Sequence, residues 1–148
     1  MVEEKKRIGT GFGVMVTRGG KVLLGLRNSD AEKASSELHG EGTWTMPGGK
    51  FEHGETFEEG AARELYEETG MTLKKMRVMC VQNDMNGDAH FITIGFLAKE
   101  YSGEPEVMEP EEITEWRWFP LNAIPKNIYP PSAKVLEAYK RQTFYLEP

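Results

Sequence analysis

Residues Gly49 to Met71 read GKFEHGETFEEGAARELYEETGM, and the spacing of the acids in this run constrains the chain more than any other feature. If the segment is helical, steps of about 100° per residue bring Glu64, Glu67 and Glu68 into one arc of about 100° on a single face. Like charges three and four residues apart cost a helix roughly 0.2–0.5 kcal/mol per pair. Such a stripe calls for cations, and hard divalent ions such as Mg2+ sit between a few carboxylates and substrate phosphates. The bland alternative is a solvated acidic helix face. The flanking residues argue against it. Met46-Pro47-Gly48-Gly49 is a turn in which the glycines let the backbone approach a ligand closely. Thr56-Phe57-Glu58-Glu59 has the spacing of a capping box, which predicts a helix starting at Thr56, and Gly70 stands where a left-handed residue would end it.

These residues resemble the signature of the Nudix hydrolases, G-x5-E-x7-R-E-U-x-E-E-x-G-U, where U is a bulky aliphatic residue. Gly49, Glu55, Arg63, Glu64, Leu65, Glu67, Glu68, Gly70 and Met71 occupy every specified position. The resemblance runs from roughly Gly11 to Pro130 and takes in Glu109-Pro110-Glu111-Glu112, Trp116-Arg117-Trp118-Phe119 and Ile124-Pro125. It implies an α/β fold of the Nudix type, an α/β/α sandwich with a mixed β-sheet. It also implies hydrolysis of a nucleoside diphosphate linked to a further moiety, with Mg2+ as cofactor or Mn2+ as its substitute. Carried over by position, Glu64, Glu67 and Glu68 are the expected metal ligands, with the backbone carbonyl of Gly49. Glu112, with Glu111 as second choice, is the expected glutamate from a downstream loop. Glu55 and Arg63 correspond to the family's structural pair.

The chemistry suits these residue types. The anionic oxygens of a phosphoanhydride repel nucleophiles, and a divalent cation neutralises that charge and acidifies water. A neighbouring carboxylate can take the water's proton. Glu67, Glu64 and the downstream glutamate all remain open for that role.

The rest of the chain bounds the setting. Its 148 residues suit one domain, 1–148. The single cysteine, Cys80, lies in the apolar run Val78–Val81 and reads as a core residue in a reducing compartment. No apolar leader opens the sequence and no run reaches membrane-spanning length, so a cytoplasmic protein is expected. A net charge of −6 argues against a nucleic-acid polymer as partner but not against a small nucleotide beside a metal ion. A monomer or homodimer is expected, with Trp116, Trp118 and Phe144 as candidate apolar surface.

Alternation predicts strands at 11–17 and 21–27, joined at Arg18-Gly19-Gly20, and at 76–82, 90–98 and 115–119. Asn28 to Gly42 reads as a long loop that could cover a site; it contains Glu37, His39 and Glu41, with His39 read as solvated. Ser132 to Arg141 reads as a helix. His53 carries no assignment, and His90 reads as structural.

Specificity lives outside the signature. The Trp-x-Trp-Phe and Ile-Pro arrangement resembles the MutT-like branch, which releases pyrophosphate from nucleoside triphosphates, modified ones included. In that branch an aromatic after the Ile-Pro turn often stacks on the base; Tyr129 stands there, either stacking or buried as a structural ring. Acidic residues often follow that aromatic, whereas Pro130, Pro131 and Ser132 follow here. Arg27 is the candidate phosphate contact. Two alternatives stand beside this reading: an ADP-ribose or nucleotide-sugar pyrophosphatase, and a non-catalytic nucleotide-sensing module.

Overall fold

The computed structural model describes residues 6–34 and 40–147. In chain order the elements are β1 (Gly9–Met15), β2 (Thr17–Arg18), β3 (Lys21–Arg27), α1 (Ala31–Ala34), β4 (Trp44–Thr45), β5 (Gly48–Gly49), α2 (Phe57–Thr69), β6 (Thr72–Asn86), β7 (Ala89–Ser102), β8 (Ile113–Pro120) and α3 (Pro130–Arg141). One sheet has the order β5-β1-β7-β6. It is mixed: β1 runs parallel to β7, while β5 and β6 are antiparallel to their neighbours. In the second sheet β3 pairs with β2, β4 and β8, all antiparallel.

Side chains alternate across a strand, and β1 uses both faces. Phe12, Val14 and Val16 pack with Ala61 and Leu65 of α2 and with Phe96 of β7. Met15 points the other way, to Val135, Leu136 and Ala138 of α3. The helices therefore cover opposite faces of the mixed sheet, as the expected α/β/α sandwich requires. Gly95 keeps the α3 face close, because a methyl group there would collide with the Cys80 thiol and stand 3.0 Å from Val135.

Several expected boundaries move. The first strand ends at Met15, and Thr17 belongs to the short β2. β6 and β7 form a ribbon far longer than the expected 76–82 and 90–98, and the expected Asn83–Asp88 connection shrinks to a turn at Gly87, φ 59°. Lys74, Lys75 and Arg77 hide the first half of β6 because both its faces are largely exposed there, so the apolar alternation vanishes. The 28–42 connection is not all loop, since α1 lies within it. Glu37 and His39 lie outside the described residues. Trp116 and Trp118 pack half-buried against the α2-side core, whereas Phe144 is exposed. No helix among the described residues is long and apolar enough to cross a membrane.

Candidate active site

The glycine turn is pinned at the edge of the mixed sheet by β5–β1 pairing, with Phe12 opposite Gly49 and Gly13 opposite Gly48. α2 begins where its capping residue predicts: Thr56 Oγ1 accepts the Glu59 N–H at 3.1 Å. It ends at Gly70, φ 77°, whose N–H reaches the Tyr66 carbonyl. These two stops place the acidic face of α2 against β5. Glu64 comes so near that a β-carbon on Gly49 would stand 2.7 Å from its carboxylate.

Arg63 holds this corner. Its Nε donates to Glu55 Oε2 at 2.6 Å and its Nη2 to Glu55 Oε1 at 3.0 Å, a two-bond fork. Nη2 also reaches the Lys50 carbonyl at 3.0 Å, tying the glycine turn to the helix. Nη1 donates to Glu64 at 2.9 Å and Glu67 at 3.2 Å. The Arg63–Glu55 hydrogen bond raises the arginine's pKa and depresses the glutamate's.

Glu68 turns inward, and its Oε2 accepts the Gly48 N–H at 2.9 Å. It keeps an opening toward the cleft, but protein crowds it elsewhere, and this desolvation pushes its pKa well above the usual carboxylate range. The charge of Glu64 adds to the rise, and the Gly48 N–H offsets part of it. Burial likewise raises Glu64, against the opposing pull of Arg63.

The downstream segment delivers two glutamates to this charge. Glu112 lines the cleft. Glu109, which the sequence reading quoted without assigning, has its pKa raised by burial and then by Glu112 and Glu67. Glu111 is exposed, and its backbone carbonyl accepts from Asn28 Nδ2 at 2.8 Å.

These groups open onto a cleft of about 750 Å³. Arg27 and Tyr129 also line it. Arg27 Nε donates to the Gly40 carbonyl at 2.9 Å and Nη2 to the Ala34 carbonyl at 3.0 Å, while its guanidinium lies 4.7 Å from the Tyr129 ring centroid. Burial lowers its pKa. The Tyr129 ring also abuts Gly40, where any side chain would collide with it. The sequence reading passed over Lys50, whose ammonium lies 5.4 Å from the Phe91 ring centroid, and the hydroxyls of Thr45 and Ser132. A lysine after two glycines and two isolated hydroxyls carry no periodic signal; only the β5–β1 and β4–α3 contacts bring them to the cleft.

Among the described residues no three His, Cys, Asp or Glu side chains already converge as a closed cation site. Arg63 holds Glu64 and Glu67 instead. The donors nevertheless fit a hard cation. All are oxygens, and Mg2+ needs only one or two carboxylates when water and phosphate complete its shell. The upward shift of Glu68, caused by burial and then by the Glu64, Glu109 and Glu112 charges, shows a carboxylate short of positive charge.

Comparison with known proteins agrees with this geometry. Residues 7–139 match the NUDIX domain. The zebrafish (Danio rerio) oxidized purine nucleoside triphosphate hydrolase is 33% identical over 114 residues, covering 76% of this chain and 66% of that protein. The NAD-capped RNA hydrolase NudC of Stutzerimonas stutzeri is 32% identical over 124 residues, covering 84% of this chain and 41% of that protein. The match thus spans less than two thirds of either relative. The crystal structure of a MutT NUDIX hydrolase from Burkholderia pseudomallei superposes with a TM-score of 0.78 at 30% identity, over 88% of this chain and 97% of that one. The chain belongs to the NUDIX family.

Proposed function

We propose that this protein is a Mg2+-dependent hydrolase of nucleoside triphosphates, modified ones included, that yields monophosphate and pyrophosphate. The observation that carries the reading is the inward-turned Glu68 carboxylate against Gly48, in a cleft that Tyr129 also lines. The name of the zebrafish relative supports a triphosphate substrate.

Glu64, Glu68 and the Gly49 carbonyl, together with Glu67 and Glu112, would hold a divalent cation, which would supply charge neutralisation at phosphate oxygens and acidity to water. The chain's own groups do the rest. Gly48 and Gly49 let phosphate approach the backbone without a side chain intervening. The Arg63–Glu55 fork and the Arg63 bond to the Lys50 carbonyl fix the turn against α2. Lys50 lines the cleft as a cation for phosphate oxygens. One of Glu67, Glu64 and Glu112 takes the proton of the attacking water. Tyr129 offers a ring to the base, and Arg27 serves substrate by holding that ring rather than by aiming at phosphate.

A second reading keeps the chemistry and replaces the triphosphate with a dinucleotide-type diphosphate such as ADP-ribose or NAD. The name of the Stutzerimonas relative favours it. The experiment is a product assay with Mg2+ across nucleoside triphosphates, oxidised purine triphosphates, ADP-ribose and NAD. Monophosphate and pyrophosphate from a triphosphate support the first reading. Turnover confined to ADP-ribose or NAD supports the second. Tight nucleotide binding without turnover overturns both.

A further inference from the structure

We infer that Trp116 is a positioning residue for the reaction proposed above: its indole N–H holds the main-chain carbonyl of Glu68 and so fixes where that residue presents its carboxylate to the cleft. The inference rests on the hydrolase reading and names a residue that acts through Glu68 rather than on the nucleotide.

The carbonyls in the last turn of a helix have no amide above them within the helix. α2 ends at Thr69, and the chain turns away at Gly70. Three of these carbonyls find partners elsewhere. Tyr66 takes the Gly70 N–H at 2.8 Å, Thr69 takes the Glu106 N–H at 2.9 Å, and Glu68 takes the Trp116 Nε1–H at 3.2 Å. Of the three donors only the last is a side chain, so only at Glu68 does the identity of one residue decide whether the carbonyl is satisfied. An indole N–H donates, and a phenyl ring in its place offers nothing.

β8 delivers the ring. It pairs with β3 so that Trp116 stands opposite Gly25. Opposite residues share one face of the sheet, and the glycine leaves that space to the indole. A β-carbon at Gly25 would stand 2.7 Å from Cζ3 and 2.9 Å from Cε3 of Trp116. The six-membered ring therefore rests on β3 while the N–H edge reaches α2. One hydrogen bond thus ties the second sheet to the helix that carries Glu64, Glu67 and Glu68.

Glu68 is held at both ends. Its Oε2 accepts the Gly48 N–H at 2.9 Å, and its carbonyl accepts from Trp116. The first bond aims the carboxylate, and the second fixes the backbone from which it is aimed. The downstream glutamates share this fastening. Glu109 and Glu112 lie in sequence between Glu106, bound to Thr69, and Trp116, bound to Glu68. The two bonds keep helix and segment in one register. A carboxylate displaced by a fraction of an ångström costs rate out of proportion to stability.

The test compares Trp116→Phe with Trp118→Phe. Both shrink a ring packed on the same core, but Trp118 lies under the Arg18 guanidinium, 4.4 Å from its ring centroid, instead of against Glu68. Both variants should melt lower than the parent. Trp116→Phe should also lower kcat about tenfold or more at saturating Mg2+, with KM for the nucleotide within about twofold of the parent. It should blunt the rise in Tm that Mg2+ gives in the absence of nucleotide. Trp118→Phe should leave kcat and the Mg2+ response unchanged. Replacing Trp116 by its benzothiophene analogue, in which sulfur stands for the N–H at nearly the same shape, should reproduce the loss of kcat and decides the matter if Trp116→Phe does not fold. Full kcat in the benzothiophene protein, or equal losses of kcat in the two phenylalanine variants, overturns the inference and leaves the hydrolase reading standing. So does a rise in KM with kcat unchanged. Absence of turnover by the parent itself, seen before any variant is made, removes inference and reading together.

Discussion

Gly49 and Glu64 meet with no room for a side chain between them: a β-carbon on the glycine would stand 2.7 Å from the carboxylate carbon and from Oε1. Gly49→Ala should therefore displace Glu64 rather than the backbone, since the carboxylate is the movable partner. The expected cost is about 1–3 kcal/mol of stability at most. The larger effect is a rise in the Mg2+ concentration needed for half-maximal rate. A metal titration of the rate, set beside chemical denaturation, separates the two. An unchanged metal requirement would remove Glu64 from the ligand set.

Arg63→Ala strands Glu55, Glu64 and Glu67 together and should lower both Tm and turnover. Arg63→Lys restores the charge but not the planar fork to Glu55. It should recover most of the Tm while turnover stays at least about tenfold down, because the glycine turn is no longer held through the Lys50 carbonyl. Parallel melting curves and initial rates give the comparison; full recovery by lysine would make the fork dispensable.

Glu64, Glu68 and Glu109 all have raised carboxyl pKa values, each chiefly through burial. A group whose folded pKa is raised stabilises the fold while protonated, and that contribution is lost as pH rises through the folded value. With a chelator present, Tm should thus fall as pH rises beyond the ordinary carboxylate range, and Mg2+ should restore it most at the upper end. Glu55, depressed by Arg63, works in the opposite sense and matters only on the acid side. A chelated protein whose Tm is flat over that rise would contradict the burial of these carboxylates.

Glu68→Gln removes charge while its carbonyl oxygen can still accept the Gly48 N–H. The variant should melt higher than the parent at pH 8 in chelator, gain less from Mg2+, and turn over about a hundredfold or more slowly. Near-normal turnover at saturating Mg2+ would exclude Glu68 from the site's chemistry.

Cys80 is fully buried, and burial raises its thiol pKa. It should resist thiol reagents in the native protein and react only as the fold opens. Labelling that keeps pace with the reagent concentration under native conditions would contradict this burial.

The acidic helix was legible because local rules agree with one another there: capping threonine, acid spacing and terminal glycine all describe the same thirteen residues. α3 starts at Pro130, two residues before the expected Ser132, because proline suits a first helical turn. The β6–β7 ribbon was underestimated where lysines and arginine line a strand that buries little on either face. Glu109 and the Thr45–Ser132 pair were not legible for a different reason. Their place in the site depends on which distant segments are brought together, and nothing in their own neighbourhoods marks it.

The parallel pairing of β1 with β7 sets Gly9 opposite Phe91, while the glycine turn hangs on the other edge of β1. No short hairpin can nucleate that arrangement, so the loop-closure entropy of most of the chain must be overcome before the cleft has a floor. The acidic helix and its caps can form early from local contacts. The surface that turns them into a site arrives late, so a nascent chain carries the stripe of carboxylates before it has anywhere to use them.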